Sequence, residues 1–114
     1  MTTDIGLDYD FRDKSFIRKI LYSIVLKYNP RDIKLSISPS GRGYHIKFVS
    51  MNTYSDEEKL DIRKDLKDDP GRISEVEGIY RDVLFDAKVV DGEFCRCKEL
   101  DVDKMIILGE EVEI

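Results

Sequence analysis

Residues 32–50 read Asp-Ile-Lys-Leu-Ser-Ile-Ser-Pro-Ser-Gly-Arg-Gly-Tyr-His-Ile-Lys-Phe-Val-Ser, and their alternation decides the fold. Ile33, Leu35 and Ile37 oppose Lys34, Ser36 and Ser38, the period of a half-buried strand. Pro39-Ser40-Gly41-Arg42-Gly43 is a turn, and the chain returns through 44–50. On that return Tyr44, Ile46 and Phe48 face one way, while His45 and Lys47 face the other. Two adjacent strands thus share one apolar and one polar side.

The same pattern appears upstream. In residues 4–11, Ile5, Leu7, Tyr9 and Phe11 alternate with Asp4, Gly6, Asp8 and Asp10. Between these strands, Asp13 can cap a helix whose Phe16, Ile17, Ile20, Leu21, Ile24, Val25 and Tyr28 recur at helical spacing. Asn29-Pro30 closes it. Downstream, Ser55 and Glu58 form a capping box that opens a charged helix running to about Asp68. Asp69-Pro70 reads as the start of a second short helix. A fourth strand is expected over roughly 83–90, with a hairpin turn at Asp91-Gly92 and a return through 93–98.

The order strand, helix, two strands, helices, strand is the ferredoxin-like, RRM-like βαββαβ pattern of an α+β protein. It predicts an antiparallel sheet in the order fourth, first, third, second, with helices on one face and a C-terminal hairpin extension. Residues 1–98 form the expected domain. Residues 99–114 are an acidic tail or edge strand, with Met105-Ile106-Ile107-Leu108 as the pairing segment of a possible homodimer.

The chain has 114 residues and a net charge of -5, but that charge is uneven. Residues 99–114 alone carry a net of -5, whereas segment 12–47 holds nine Lys/Arg against Asp13 and Asp32. A basic block beside an acidic tail fits a polyanion-binding surface with a self-shielding end. No apolar run reaches membrane length, and the start MTTDIGLDYD is too acidic for a secretory signal, so a cytoplasmic location is expected. Cys95 and Cys97 have no second pair to complete a zinc site and read as reduced, structural thiols sharing a strand face. Gln is absent and Asn occurs only at 29 and 52, a bias of heat-adapted proteins.

Parity collects chemistry on the polar face: Asp8, Asp10, Ser36, Ser38, His45, Lys47 and Asp86. The first and third strands run oppositely as neighbours, so Asp8 and Asp10 approach His45 and the Gly41–Gly43 turn. Two carboxylates at i and i+2 stand about 7 Å apart at Cα, close enough to share a hard cation such as Mg²⁺ or Mn²⁺. Arg42, His45 and Lys47 are placed to hold phosphates that such a cation also binds. The turn glycines let backbone N–H groups approach an anion. Tyr9, Tyr44 and Phe48 fall on the helix side, which counts against base stacking.

Asp8-Tyr9-Asp10 followed by Ser40-Gly41-Arg42-Gly43-Tyr44-His45 resembles two motifs of the archaeo-eukaryotic primase and primase-polymerase superfamily. The resemblance implies a core related to the RNA-recognition fold, and metal binding by Asp8 and Asp10. It further implies nucleotide contact through Ser40, Gly41, Arg42, Gly43 and His45, and a third metal-binding acid, for which Leu84-Phe85-Asp86 is the candidate. The whole chain also resembles small uncharacterised proteins of rod-shaped crenarchaeal viruses and some archaea. Ser36–His45 and Asp68-Asp69-Pro70-Gly71-Arg72-Ile73 carry that likeness, and host cytoplasm would then be the location. The expected function is a nucleotide- or nucleic-acid-binding domain with a minimal or vestigial primase-type site. If active, it would perform metal-dependent nucleotidyl or phosphoryl transfer through Asp8, Asp10 and Asp86. The alternative is a non-catalytic nucleic-acid-binding or homo-oligomeric interaction protein.

Overall fold

A computed structural model describes residues 3–68 and 87–114. Alternation produces three strands: β1 (Thr3–Tyr9), β2 (Pro30–Ile37) and β3 (Tyr44–Ser50). β3 lies between the other two, antiparallel to both. Ile5, Leu7, Tyr9, Leu35, Ile37, Tyr44, Ile46 and Phe48 are buried on one face. Against them pack Ile17, Ile20, Leu21 and Ile24 of α1 (Lys14–Lys27), with Ile62 and Leu66 from α2 (Asp56–Asp65) and beyond its end. The expected first–third–second adjacency is present, and the protein is an α+β fold with a four-stranded antiparallel sheet.

Local signals set the helix ends. Asp13 accepts from the Phe16 N–H at 3.1 Å, so α1 opens where its cap stands. Ser55 and Glu58 exchange both bonds of the capping box at 3.1 Å, fixing the start of α2. Val25 departs from the apolar stripe of α1 and is 46% exposed.

Among the described residues, the fourth strand of the sheet is a different one from that of the ferredoxin-like order. Residues 83–86, including Asp86, lie outside the described residues, as does the helix expected from Asp69. The remainder of that stretch, β4 (Ala87–Val90), pairs with β5 (Glu93–Arg96) in a separate two-stranded sheet. Asp91 and Gly92 between them have φ of 51° and 81°, the doubly left-handed turn that suits a two-residue hairpin. The place beside β2 is taken by β6 (Lys98–Leu100), at the opposite edge from the one expected.

At the outer edge of β1, two side chains among the described residues bond the backbone. Arg63 Nη1 donates to the Gly6 carbonyl at 2.5 Å, and the Asp8 N–H donates to Asp68 Oδ1 at 2.8 Å. Arg63 and Asp68 also pair with each other at 3.0 Å, with side chains 2% and 0% exposed. These groups satisfy the backbone of an edge that would otherwise invite a strand. Asp68 is therefore a buried partner of β1.

The segment expected as an edge strand is helical. Met105–Leu108 lie in α3 (Val102–Leu108), capped by Asp101, which accepts from Lys104 N–H at 3.1 Å, and ended by Gly109 at φ 68°. The two caps prevail over the apolar run. Met105 is buried in the core, and Arg18 of α1 donates to the carbonyls of Ile106 and Ile107 at 2.7 and 2.9 Å. The final residues return beside β6, with the Asp101 N–H donating to the Val112 carbonyl at 2.7 Å. The boundary drawn between 98 and 99 thus falls inside β6, and the acidic tail is built into the sheet.

Candidate functional site on the sheet face away from the helices

Register aligns one row of polar residues across all four strands. Asp8 of β1 pairs with His45 of β3, His45 with Ser36 of β2, and Ser36 with Glu99 of β6. Directly paired residues hold their Cβ atoms about 5 Å apart, so this row is one continuous surface. His45 Nε2 lies 3.3 Å from Asp8 Oδ1, with side chains 11% and 32% exposed. The parity argument had placed these two residues together, and they are together.

In the next row, Lys47 of β3 stands between Gly6 of β1 and Lys34 of β2. Gly6 contributes no side chain, which leaves room beside Lys47. On the other side of Lys47, toward β2 and β6, a cavity of about 200 Å³ is lined by Lys34, Ser36, His45, Lys47, Cys97 and Glu99. Two lysines against one glutamate leave the lining net positive. The volume suits a phosphate or short carboxylate group and is too small for a whole nucleotide.

Cys97 is the residue that sequence reading left out. It was expected to share a strand face with Cys95, but β5 ends at Arg96 and the chain passes into the other sheet at Cys97. Cys95 turns its thiol to the Glu93 carbonyl at 3.8 Å, whereas Cys97 Sγ reaches His45 Nδ1 at 3.5 Å. The change of sheet between two cysteines only two positions apart separates their surroundings. Glu99, read as tail charge, comes to the same cavity through β6.

The glycine turn is ordered by its own donors. The Gly41 N–H donates to the Ser38 carbonyl at 2.9 Å, Arg42 N–H to Ser40 Oγ at 3.4 Å, and Gly43 N–H to Ser38 Oγ at 3.2 Å. The amides that sequence reading offered to a phosphate are engaged inside the turn. Gly43 instead allows the close crossing of the Tyr9 carbonyl. Arg42 is exposed beyond it.

The donor set for a divalent cation is incomplete among the described residues. Asp8 faces His45; Asp10 lies exposed in a bend past the end of β1, so the i, i+2 strand spacing does not extend to it. No group of three or more His, Cys, Asp or Glu side chains among the described residues is placed to hold a metal ion. Among the described residues the protein side chains alone do not make an all-oxygen shell.

Part of the basic block is committed to the tail. Arg12 pairs with Glu111 and lies 5.9 Å from the centre of the Tyr44 ring, while the Tyr44 hydroxyl donates to Glu111. Burial, and then the bond to Glu111, push the Tyr44 hydroxyl up to about 12 from the usual 10.0. Burial also raises Tyr9, and Asp68 adds to it. The folded form thus holds phenolic protons that the unfolded chain releases near pH 10. Stability is fully present below about pH 10 and falls as the pH rises toward about 12. Thermal unfolding followed across this interval should show a steadily falling Tm, with Tyr9 and Tyr44 ionising only as structure is lost. Full ionisation of the tyrosines at constant structure would contradict this.

Comparison with known proteins finds no matching family model, no matching curated protein and no matching solved structure. The likeness to primases accordingly rests on the short Asp8–Asp10 and Ser40–His45 stretches alone. No helix among the described residues is long and apolar enough to cross a membrane.

Proposed function

We propose that this chain binds nucleic acid through its phosphate backbone, using the face of β2 and β3 that turns away from the helices. The carrying observation is the register pairing of Lys34 with Lys47 beside the cavity that also holds Ser36 and His45. Like charges opposed on neighbouring strands cost energy, and a phosphate between them turns that cost into attraction. Arg31 and Arg42 lie exposed at the two ends of the same hairpin. Tyr9, Tyr44 and Phe48 are buried in the core, so they are not offered to bases. Binding is therefore led by phosphates and poor in sequence preference.

The test is retardation of single-stranded and duplex oligonucleotides over a range of salt concentrations. Affinity should fall steeply with salt, and Lys34→Gln/Lys47→Gln should reduce the log–log slope by about 2, roughly 1 per lysine. Binding that is absent at low salt, or that the double variant leaves unchanged, would overturn the reading.

A further inference from the structure

Cys97, His45 and Asp8 form a chain of contacts that backbone binding does not use. Cys97 Sγ lies 3.5 Å from His45 Nδ1, and His45 Nε2 lies 3.3 Å from Asp8 Oδ1. An ionised carboxylate only accepts, so His45 donates to Asp8 through Nε2–H. Its Nδ1 then carries the lone pair that faces the thiol. A thiol next to an imidazole whose far nitrogen is held by a third group is the arrangement of an activated nucleophile. Two separate strands and a strand junction supply these groups, and Cys97 is partly accessible at the cavity wall.

We propose that Cys97 is a nucleophilic thiol with His45 as its base, and that it accepts acyl groups from small anionic donors seated against Lys34 and Lys47. His45 Nδ1 takes the Cys97 proton as sulfur attacks the acyl carbon. A carbon–sulfur bond forms, the bond to the leaving group breaks, and His45 returns the proton to the leaving group. Water then attacks the thioester, giving its proton to His45, and the carbon–sulfur bond breaks as Cys97 recovers that proton. Asp8 positions the ring and stabilises the imidazolium formed on the way. Asp8 on β1, Lys47 on β3, Lys34 on β2 and Glu99 on β6 are the charged groups around the pair. The choice of an anionic donor rests on the two lysines invoked for phosphate binding; the reactivity of the thiol does not.

The two cysteines permit an internally controlled test on the full chain. Cys95→Ser leaves only Cys97, and Cys97→Ser leaves only Cys95. Alkylation by neutral iodoacetamide, followed by intact mass, should at about pH 6 be at least tenfold faster in Cys95→Ser than in Cys97→Ser. Adding His45→Gln to Cys95→Ser should abolish the advantage and restore the pH profile of an ordinary thiol. Equal rates in the two single-thiol chains, or a rate indifferent to His45→Gln, would overturn the assignment. If His45→Gln fails to fold, the comparison between the two single-thiol chains decides. Anionic iodoacetate should react faster relative to iodoacetamide at Cys97 than at Cys95, and Lys34→Gln/Lys47→Gln should remove that preference. An unchanged ratio would overturn the anionic substrate class. Because iodoacetamide is neutral, its result stands apart from the oligonucleotide experiment.

Discussion

Replacing Asp68 with Ala is expected to lower the unfolding free energy by about 3–5 kcal/mol, one of the largest losses any single side chain here can cause. The Arg63 side chain is 2% exposed and Asp68 0% exposed, so the guanidinium would lose its carboxylate with little water to replace it. The same substitution removes the acceptor of the Asp8 N–H, at the edge of a strand with no neighbour among the described residues. One change would thus remove two buried interactions. Urea titration should show a lower midpoint at unchanged slope. Asp68→Asn keeps an oxygen for the Asp8 N–H and should lose less. An ordinary buried ion pair can often be exchanged for apolar residues at little cost. This one should resist: Arg63→Met/Asp68→Leu leaves the Gly6 carbonyl and the Asp8 N–H without these side-chain partners. A double variant as stable as the wild type would show that the pair does not protect the edge.

That edge also explains what the sequence could and could not disclose. Alternation in 4–11, 32–38 and 44–50 revealed three strands and the faces of the polar residues inside them, because parity is a local property. Asp8 meeting His45 followed from parity and strand direction alone. The location of the fourth strand was not local. β6 has three residues, too few to show a period, and its position depends on the tertiary fit of Leu100 against Leu35. Arg63 looked like helix-surface charge in a polar segment, and nothing in its neighbours signals a buried role. The helix at 102–108 does have local signals, since Asp101 and Gly109 are its caps.

For the site, the error had a single physical source. Residues were assigned to the functional face by alternation within a continuous strand, and both failures lie where the strand stops. Asp10 sits one residue past the end of β1 and Cys97 one residue past the end of β5. Beyond a strand end, parity no longer governs where a side chain points. Asp10 consequently leaves the polar row, and Cys97 enters it.

Gly43→Ala should be the most damaging change in the glycine turn, and the contrast with Gly41 shows why. A Cβ at Gly43 would lie 1.7 Å from the Tyr9 carbonyl oxygen and 3.1 Å from the Asp10 Cα, both backbone. No side-chain rotation relieves that clash, so the end of β1 must separate from β3. The expected loss is about 4 kcal/mol or more, the range reserved for a few mechanisms such as this. At Gly41 a Cβ meets nothing within 4 Å, and only its φ of 75° is unfavourable. Gly41→Ala should therefore cost about 1–2 kcal/mol, the penalty of a left-handed residue with a side chain. Thermal unfolding of the two variants separates these expectations, and similar losses would disprove the close-approach account. The consequence reaches the site, because Asp8 pairs with His45 only one register step from Tyr9 and Tyr44. A Gly43→Ala chain that still folds should show slower alkylation of Cys97, whereas Gly41→Ala should not. Gly43 is then needed for strand contact whether or not a phosphate ever visits the turn, and the reactivity of the thiol depends on that contact.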